Sequence, residues 1–507
     1  MDWGSKVTYL GSTTLKERTV NFGVKDTDRL RHFCILGKSG SGRAELIVQM
    51  ALQDIERGIG TILLDASGKV ASALIERIDP SLTDRIVYLD PAIAEYPYSW
   101  NPLDDIRTLP SAVQAKYLTE LLVSLYNIQR TPFVEYGADV LLRHKNATLI
   151  TFHTLTTDEK ARESFFEKDE SGKKAFEEAL KSDPTIAHVL EEEGRYVAKD
   201  SLVRNLLGQE ESRFTLGDIV QGKILIVDFS HIHIFPTRMT PLVRVFVDVA
   251  RMVGSNAEAP IALSIHDCLR YLSEKEIDRA FSSKGIAINI ADTIQQESDR
   301  ERREFAISRC GSIASFATHP SDKALIERVF YPYADSDELV QLGEREMIVA
   351  LSIDAVRARP FFAHASSLPE RKHVSYQDVL VACRSRYTIP RTKVDALFKK
   401  QKGDGKDNAP PDRRRGPGGF QDAFRSIMAS RAQNLPLNKE KDAVAPKDKD
   451  AKGEKAPDTS TKEKTGTEIP AGKKTPSADA SPQENKKNEV PEEMLKKLLF
   501  VRPVAPA

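Results

Sequence analysis

Residues 35–44 read Ile35-Leu36-Gly37-Lys38-Ser39-Gly40-Ser41-Gly42-Arg43-Ala44. The apolar run Phe33-Cys34-Ile35-Leu36 precedes the first glycine, and a helical pattern runs from Glu45 to Ile55. Strand, glycine loop and helix in this order are the layout of a phosphate-cradling P-loop. Gly37 and Gly42 stand at the two glycine positions of G-x-x-x-x-G-K-[ST]. Glycines let backbone N–H groups turn toward a phosphate, and the helix N-terminus adds positive potential. The next two positions depart from the motif, with Arg43 in place of lysine and Ala44 in place of Ser/Thr. Arginine keeps the charge but is a wide planar fork and not a compact point charge. Alanine offers no oxygen to a metal. Lys38 is a second cation inside the loop. The candidate nucleotide-binding residues are therefore Gly37, Lys38, Ser39, Gly40, Ser41, Gly42, Arg43 and Ala44. ATP is the expected ligand, and Mg²⁺ binding is expected to be weakened.

Working outward, apolar runs of strand length alternate with helical patterns. Strands are expected at Val20–Val24, His32–Leu36, Thr61–Asp65 and Arg85–Leu89, and again at Ile224–Asp228, Ile261–His266, Ile286–Ala291, Ile313–Phe316 and Met347–Ser352. Apolar strands separated by helices predict an α/β fold with a mostly parallel sheet covered on both faces. Between the two sets, Val113, Tyr117, Leu118, Leu121, Leu122 and Leu125 recur at helical spacing. Residues 103–215 thus read as an all-α insertion, interrupted by a charged stretch near 157–185 expected to be mobile. The expected organisation is a core in two parts, 1–102 and 216–370, around that insertion. Residues 1–30 form a short lead-in, and 371–400 a helical extension. From about residue 401 to 507 the composition collapses into Lys, Asp, Glu, Pro, Ala, Gly, Ser and Thr, which predicts disorder. Phe420–Ile427 reads as a short helix there. Glu492–Phe500 places Met494, Leu495, Leu498 and Leu499 on one face, as a docking helix for a protein partner.

Acidic and basic residues number 74 each, so bulk charge does not announce a nucleic-acid binder. Arg413-Arg414-Arg415 is a lone basic run. The four cysteines, Cys34, Cys268, Cys310 and Cys383, stand singly, which argues against zinc and for a reducing cytoplasm. The start Met-Asp-Trp-Gly-Ser has no apolar signal region, and no apolar run approaches the roughly 20 residues of a membrane helix. Recruitment to the inner membrane would require a partner.

A P-loop enzyme needs a carboxylate at the end of a neighbouring strand to hold Mg²⁺. Three apolar runs end in aspartate, at Asp65, Asp228 and Asp267. Such residues often cap the next turn, and pattern alone favours Asp228.

The run Asn21-Phe22-Gly23-Val24-Lys25-Asp26-Thr27-Asp28-Arg29-Leu30-Arg31-His32 before the glycine loop resembles the HerA/FtsK superfamily of hexameric DNA-pumping P-loop ATPases with a RecA-like core. Within it, the likeness is to the motor domains of type IV secretion and conjugation coupling proteins. Gln53-Asp54-Ile55, Gly58, Asp65-Ala66-Ser67-Gly68-Lys69, Tyr88-Leu89-Asp90-Pro91, Trp100-Asn101-Pro102-Leu103 and Gly222–Asp228 continue the match in order, over about residues 15–370. The resemblance moves the second motif to a later strand. Where the family ends a strand in Val-Asp-Glu, this chain has Ile265-His266-Asp267, and where the family has Ala-Asn-Gln it has Ala291-Asp292-Thr293. The resemblance thus implies catalytic positions at His266, Asp267 and Thr293, with Asp267 as the metal ligand. It makes Arg303 and Arg309 arginine-finger candidates. It also implies a homo- or hetero-hexameric ring, double-stranded DNA, and the secretion or conjugation machinery as partners.

The departures fall on chemistry: Arg43, Ala44, His266, Asp267 and Thr293. Metal, phosphate charge and water polarisation weaken together. Three readings follow. One is a catalytically impaired scaffold or regulatory partner of an active paralogue. The second is a working DNA translocase in which Arg43 or Lys38 replaces the lysine. The third is a nucleotide-binding module without turnover.

Overall fold

The computed structural model describes residues 6–293, 300–372 and 374–401. The segments Arg413–Arg415, Phe420–Ile427 and Glu492–Phe500, and the tail expected to be disordered, lie outside the described residues. Among the described residues, thirteen strands follow in chain order. They are β1 (Val7–Leu15), β2 (Arg18–Lys25), β3 (Phe33–Leu36), β4 (Thr61–Asp65), β5 (Ile86–Leu89), β6 (Ile224–Asp228) and β7 (Ile261–His266). Then come β8 (Ile286–Asp292), β9 (Ser312–Phe316), β10 (Glu346–Ala350), β11 (Ser352–Ile353), β12 (Val356–Arg357) and β13 (Phe361–Ala365).

Eleven of them form one sheet in the order β2-β1-β13-β10-β9-β3-β8-β7-β4-β6-β5. From β9 to β5 every pairing is parallel. These strands are buried at every position, because helices cover both faces. The other edge is an antiparallel extension of β10, β13, β1 and β2. The first 30 residues are therefore not a short lead-in: most of them form the hairpin β1–β2, which lengthens the sheet. The opposite edge strand, β5, is covered by the helix Tyr376–Tyr387, where Cys383 Sγ lies 3.3 Å from both Tyr88 N and Ile86 O. A covered edge cannot template further pairing.

Between β5 and β6 the chain is helical, from Pro102–Arg107 to Gly217–Val220. The joint is Trp100-Asn101-Pro102. The Trp100 ring stacks on Phe246 and Phe214, at centroid distances of 4.7 and 6.1 Å. Its Nε1–H donates to Asp105 Oδ2, and Asn101 Oδ1 caps the next helix by accepting from Leu103 N. The charged stretch expected to be mobile is instead two helices, Glu159–Phe165 and Glu170–Lys181. Their charges face outward, while Phe176 is buried against Phe133 and Phe166. An amphipathic helix with a sparse apolar face explains the charged composition.

Candidate functional site: a glycine loop closed by an ion pair

Strand order decides what can meet at the loop. β8 lies between β3 and β7, so the C-terminal ends of three adjacent strands converge. They carry the glycine loop after Leu36, Asp292-Thr293, and His266-Asp267. β4 lies on the far side of β7 and pairs Asp65 with His266 in register.

The loop backbone is shaped for an anion. Gly42 takes φ +112° as the residue before the helix Arg43–Glu56. A Cβ there would lie 2.8 Å from the Phe316 ring and 3.1 Å from Arg345 Cα. Gly40, at φ +79°, faces open space. Lys38 N donates to Ala317 O, and Ser41 donates from both N and Oγ to Lys38 O. The amides of Ser39, Gly40, Gly42, Arg43 and Ala44 have no backbone partner among the described residues. Lys38, Ser39 and Gly40 are exposed. The Ala44 methyl packs on the core.

Arg43 does not point to solvent. It is 4 % exposed, and its two terminal nitrogens donate to the two carboxylate oxygens of Asp267, at 2.9 and 3.1 Å. This bidentate fork is the strongest common form of an ion pair. Asp267 sits at φ +54° immediately after β7, and its N–H donates to Ala291 O. Its Oδ1 also accepts from Thr293 N and Thr293 Oγ1. Burial pushes the Asp267 carboxyl up, but Arg43 and His266 outweigh it and hold the carboxyl below the usual carboxylate range.

His266 turns the other way. Its Nδ1 lies 2.9 Å from Asp65 Oδ1. Asp65 also accepts from Ser67 N, Ser67 Oγ and Ala71 N. Burial raises the Asp65 carboxyl, but the imidazole and these amides bring it below the ordinary value. His266 Nε2 is buried without a hydrogen-bond partner, 3.6 Å from Asp267 Oδ2. Asp292 is buried beside this group. Burial and then the Asp267 charge push it up to about 6, against Arg303, Arg43 and His266.

Thr293 holds Asp267, and Arg303 donates from Nη2 to Thr293 O. Arg303 is 3 % exposed, with its guanidinium directed at Thr293. Arg309 precedes β9 at the opposite end of the sheet, is 44 % exposed and pairs with Asp278. Asp228, favoured by pattern alone, accepts from Tyr88 Oη and Ser230 N and lies apart from the loop, on β6. Asp65 and Asp292 are the residues that sequence reasoning did not assign to the site. The apolar run ending at Asp65 marked it as a strand-end carboxylate, but the strand pairing that sets it beside His266 is encoded by no local pattern.

The donor set decides which ligands fit. Free amides in an exposed glycine loop fit phosphates. Mg²⁺ requires oxygen ligands in near-octahedral geometry. Both oxygens of Asp267 are engaged by Arg43, and Ala44 has none to offer, so the residues present do not fit the ion. Among the described residues no group of three or more His, Cys, Asp or Glu is arranged to hold a metal.

A glycine loop between β3 and its helix, with β8 inserted before the carboxylate strand β7, defines a P-loop NTPase fold. No protein-family model matches the chain, and no curated protein does. Solved structures do. The plasmid coupling protein TrwB in complex with ADP and Mg²⁺ is 13% identical, with TM-score 0.49, covering 74% of this chain and 92% of its own. TrwB with the ATP analogue ADPNP is 15% identical, with TM-score 0.49, covering 73% and 95%. VirB4 of Thermoanaerobacter pseudethanolicus is 12% identical, with TM-score 0.46, covering 73% and 98%. No helix among the described residues is long and apolar enough to cross a membrane.

Proposed function

We propose that this chain is a P-loop ATPase-like protein, related to the DNA-translocating coupling ATPases of type IV secretion and conjugation, in which ATP hydrolysis is lost or weak. One observation carries the reading. The loop cation, Arg43, and the candidate metal carboxylate, Asp267, are bound to each other. A charge that should meet the β/γ-phosphates and a charge that should meet the metal cancel instead. Thr293 supports that carboxylate and is not free to sense a γ-phosphate. The chain then acts as a scaffold or regulatory partner of an active paralogue, in a homo- or hetero-hexameric ring on double-stranded DNA. It is cytoplasmic, with recruitment to the inner membrane through a partner, and residues 492–500 dock a protein partner.

A second reading has its own support. The unengaged amides of Ser39, Gly40, Gly42, Arg43 and Ala44 favour a module that binds nucleotide without turnover. A third, an active translocase, draws on the buried Asp65–His266 pair, which fixes an imidazole beside Asp267 as an orienting carboxylate does for a general base. Calorimetry of Mg·ATP on the full chain, with hydrolysis followed in the same sample with and without duplex DNA, separates the three. DNA-stimulated turnover at motor-like rates overturns the favoured reading. Binding without turnover selects the module.

A further inference from the structure

The N-terminal ends of β3 and β9, at the opposite end of the sheet from the glycine loop, border a cleft of about 450 Å³. Three arginines line it: Arg31, Arg309 and Arg357. All three are exposed. Among the described residues the Arg31 guanidinium has no hydrogen-bond or ion-pair partner. Arg357 donates only to main-chain carbonyls, those of Gly311 and Cys310. Among the described residues, only Arg309 of the three meets an acid, Asp278. Two other acids of the region are already engaged. Asp28 accepts from Ser352 Oγ, Asp354 N and Ala355 N, and Asp354 pairs with Lys25.

The arginines are held by backbone that resists change. Gly311 N donates to Arg31 O, and a Cβ at 311 would lie 2.7 Å from Arg31 Cβ. Arg357 ends the hairpin β11–β12, whose turn residues Asp354 and Ala355 take φ of +48° and +70°. His32, on the cleft wall, takes φ +67°. Three non-glycine residues in left-handed conformation around one cleft form a costly arrangement, of the kind that persists where surrounding structure enforces it and clusters at ligand clamps. Guanidiniums on one concave surface repel until an anion joins them, and arginine is the side chain best matched to phosphate. The volume falls in the range of small-molecule sites. A duplex backbone is instead tracked by an extended basic strip.

We propose that this cleft is a second anion site, separate from the glycine loop, for a compact phosphate-bearing ligand of nucleotide size. The probe is inorganic pyrophosphate, titrated calorimetrically into the full chain at low salt. The wild type is compared with the Arg31→Ala/Arg357→Ala double variant, with Arg31→Gln and with Arg43→Ala. Arg31→Gln guards against misfolding, since it keeps the side-chain stem and the guanidinium it removes has no hydrogen-bond or ion-pair partner among the described residues. The expected result is binding weakened about tenfold or more by Arg31→Gln, and further by the double variant, with a cleft-site signal that survives Arg43→Ala. Pyrophosphate binding that ignores both Arg31 variants, that vanishes with Arg43→Ala alone, or that is absent at millimolar concentration overturns the proposal. So does an Arg31 dependence seen with duplex DNA and not with pyrophosphate.

Discussion

Replacing Asp267 with asparagine separates the two roles of the Arg43–Asp267 pair. The substitution keeps the shape and one acceptor oxygen, which still faces Thr293. It removes the charge and turns the other oxygen into a donor facing a guanidinium that is 4 % exposed. Breaking a buried pair by removing one partner costs about 3–5 kcal/mol. The Asp267 side chain is 23 % exposed, so water moderates the loss, and about 2–3 kcal/mol is expected. For a chain of this size each kcal/mol lowers Tm by about 1–2 °C, so the variant should melt about 2–6 °C lower. The same change frees Arg43 for phosphate. If the pair holds the cation away from the loop, nucleotide regains part of that energy. About 1.5–3 kcal/mol returned corresponds to a roughly 10- to 150-fold gain in affinity for ADP. Calorimetry with ADP and thermal melts with and without it read both effects. A folded variant that binds ADP no better than the wild type would refute the idea that the pair closes the loop. The pH dependence has a fixed sign. The Asp267 carboxyl titrates below its unfolded value of 3.8, so its contribution is fully present above that pH and is lost as pH falls through the lower folded value.

Other expectations follow from the same geometry. Gly42→Ala forces an L-residue to φ +112° against the Phe316 ring and should cost about 2 kcal/mol or more in urea unfolding. His266→Ala leaves Asp65 buried without its imidazole partner and should destabilise by about 3 kcal/mol. Adding Asp65→Asn to it should cost less than the two single changes summed, as a double-mutant cycle reads. Asp105 is pushed up to about 7 by burial, against hydrogen bonds from Trp100 and Gly217. Its folded form binds more protons than the unfolded chain between pH 4 and 7, so its contribution falls as pH rises through that window, by a few kcal/mol at most. Urea unfolding at pH 5 and 7.5 should show that slope in the wild type and lose it in Asp105→Asn.

The parallel part of the sheet was legible because it is buried on both faces. Ile62-Leu63-Leu64, Ile224–Val227 and Ile286–Ile290 can only be interior strands at that length. The antiparallel extension was not. Val7–Leu15 mixes buried and exposed positions, contains Gly11 and two adjacent threonines, and slips register between Tyr9 and Gly11, so no strict alternation marks it. Gly11 is required there because a Cβ would lie 1.9 Å from His364 O on β13, a contact some 350 residues away in sequence. The site divides in the same way. Glycine positions are local and could be read directly. That Arg43 would face Asp267, and His266 would face Asp65, depends on β8 lying between β3 and β7 and on β7 pairing with β4. Those are facts of sheet order, and the spacing of residues along the chain does not contain them.

That sheet order also bears on how the altered residues fit together. Arg43 and Thr293 both contact Asp267, and His266 takes Asp65 as its partner while its second nitrogen lies beside Asp267. An arginine in the loop would be a stranded charge beside a neutral side chain at 267. An apolar residue at 266 would leave the buried Asp65 carboxylate without its imidazole partner, held only by Ser67 and the Ala71 amide. Uncompensated charges at this depth are strongly destabilising, so each of these residues is tolerable chiefly because another is present. A P-loop that had merely lost its chemistry one residue at a time would be expected to leave orphaned charges or cavities around 43, 266 and 293. Among the described residues, Arg43 Nε and His266 Nε2 of this group are buried without a hydrogen bond. The interior of the site is thus an ion-pair network centred on Asp267 and Asp65, in which those two nitrogens are left without a hydrogen bond. A network of that kind holds the Arg43 side chain on Asp267 while Lys38, Ser39 and Gly40 of the loop stay exposed. Asp267→Asn is the change that breaks it.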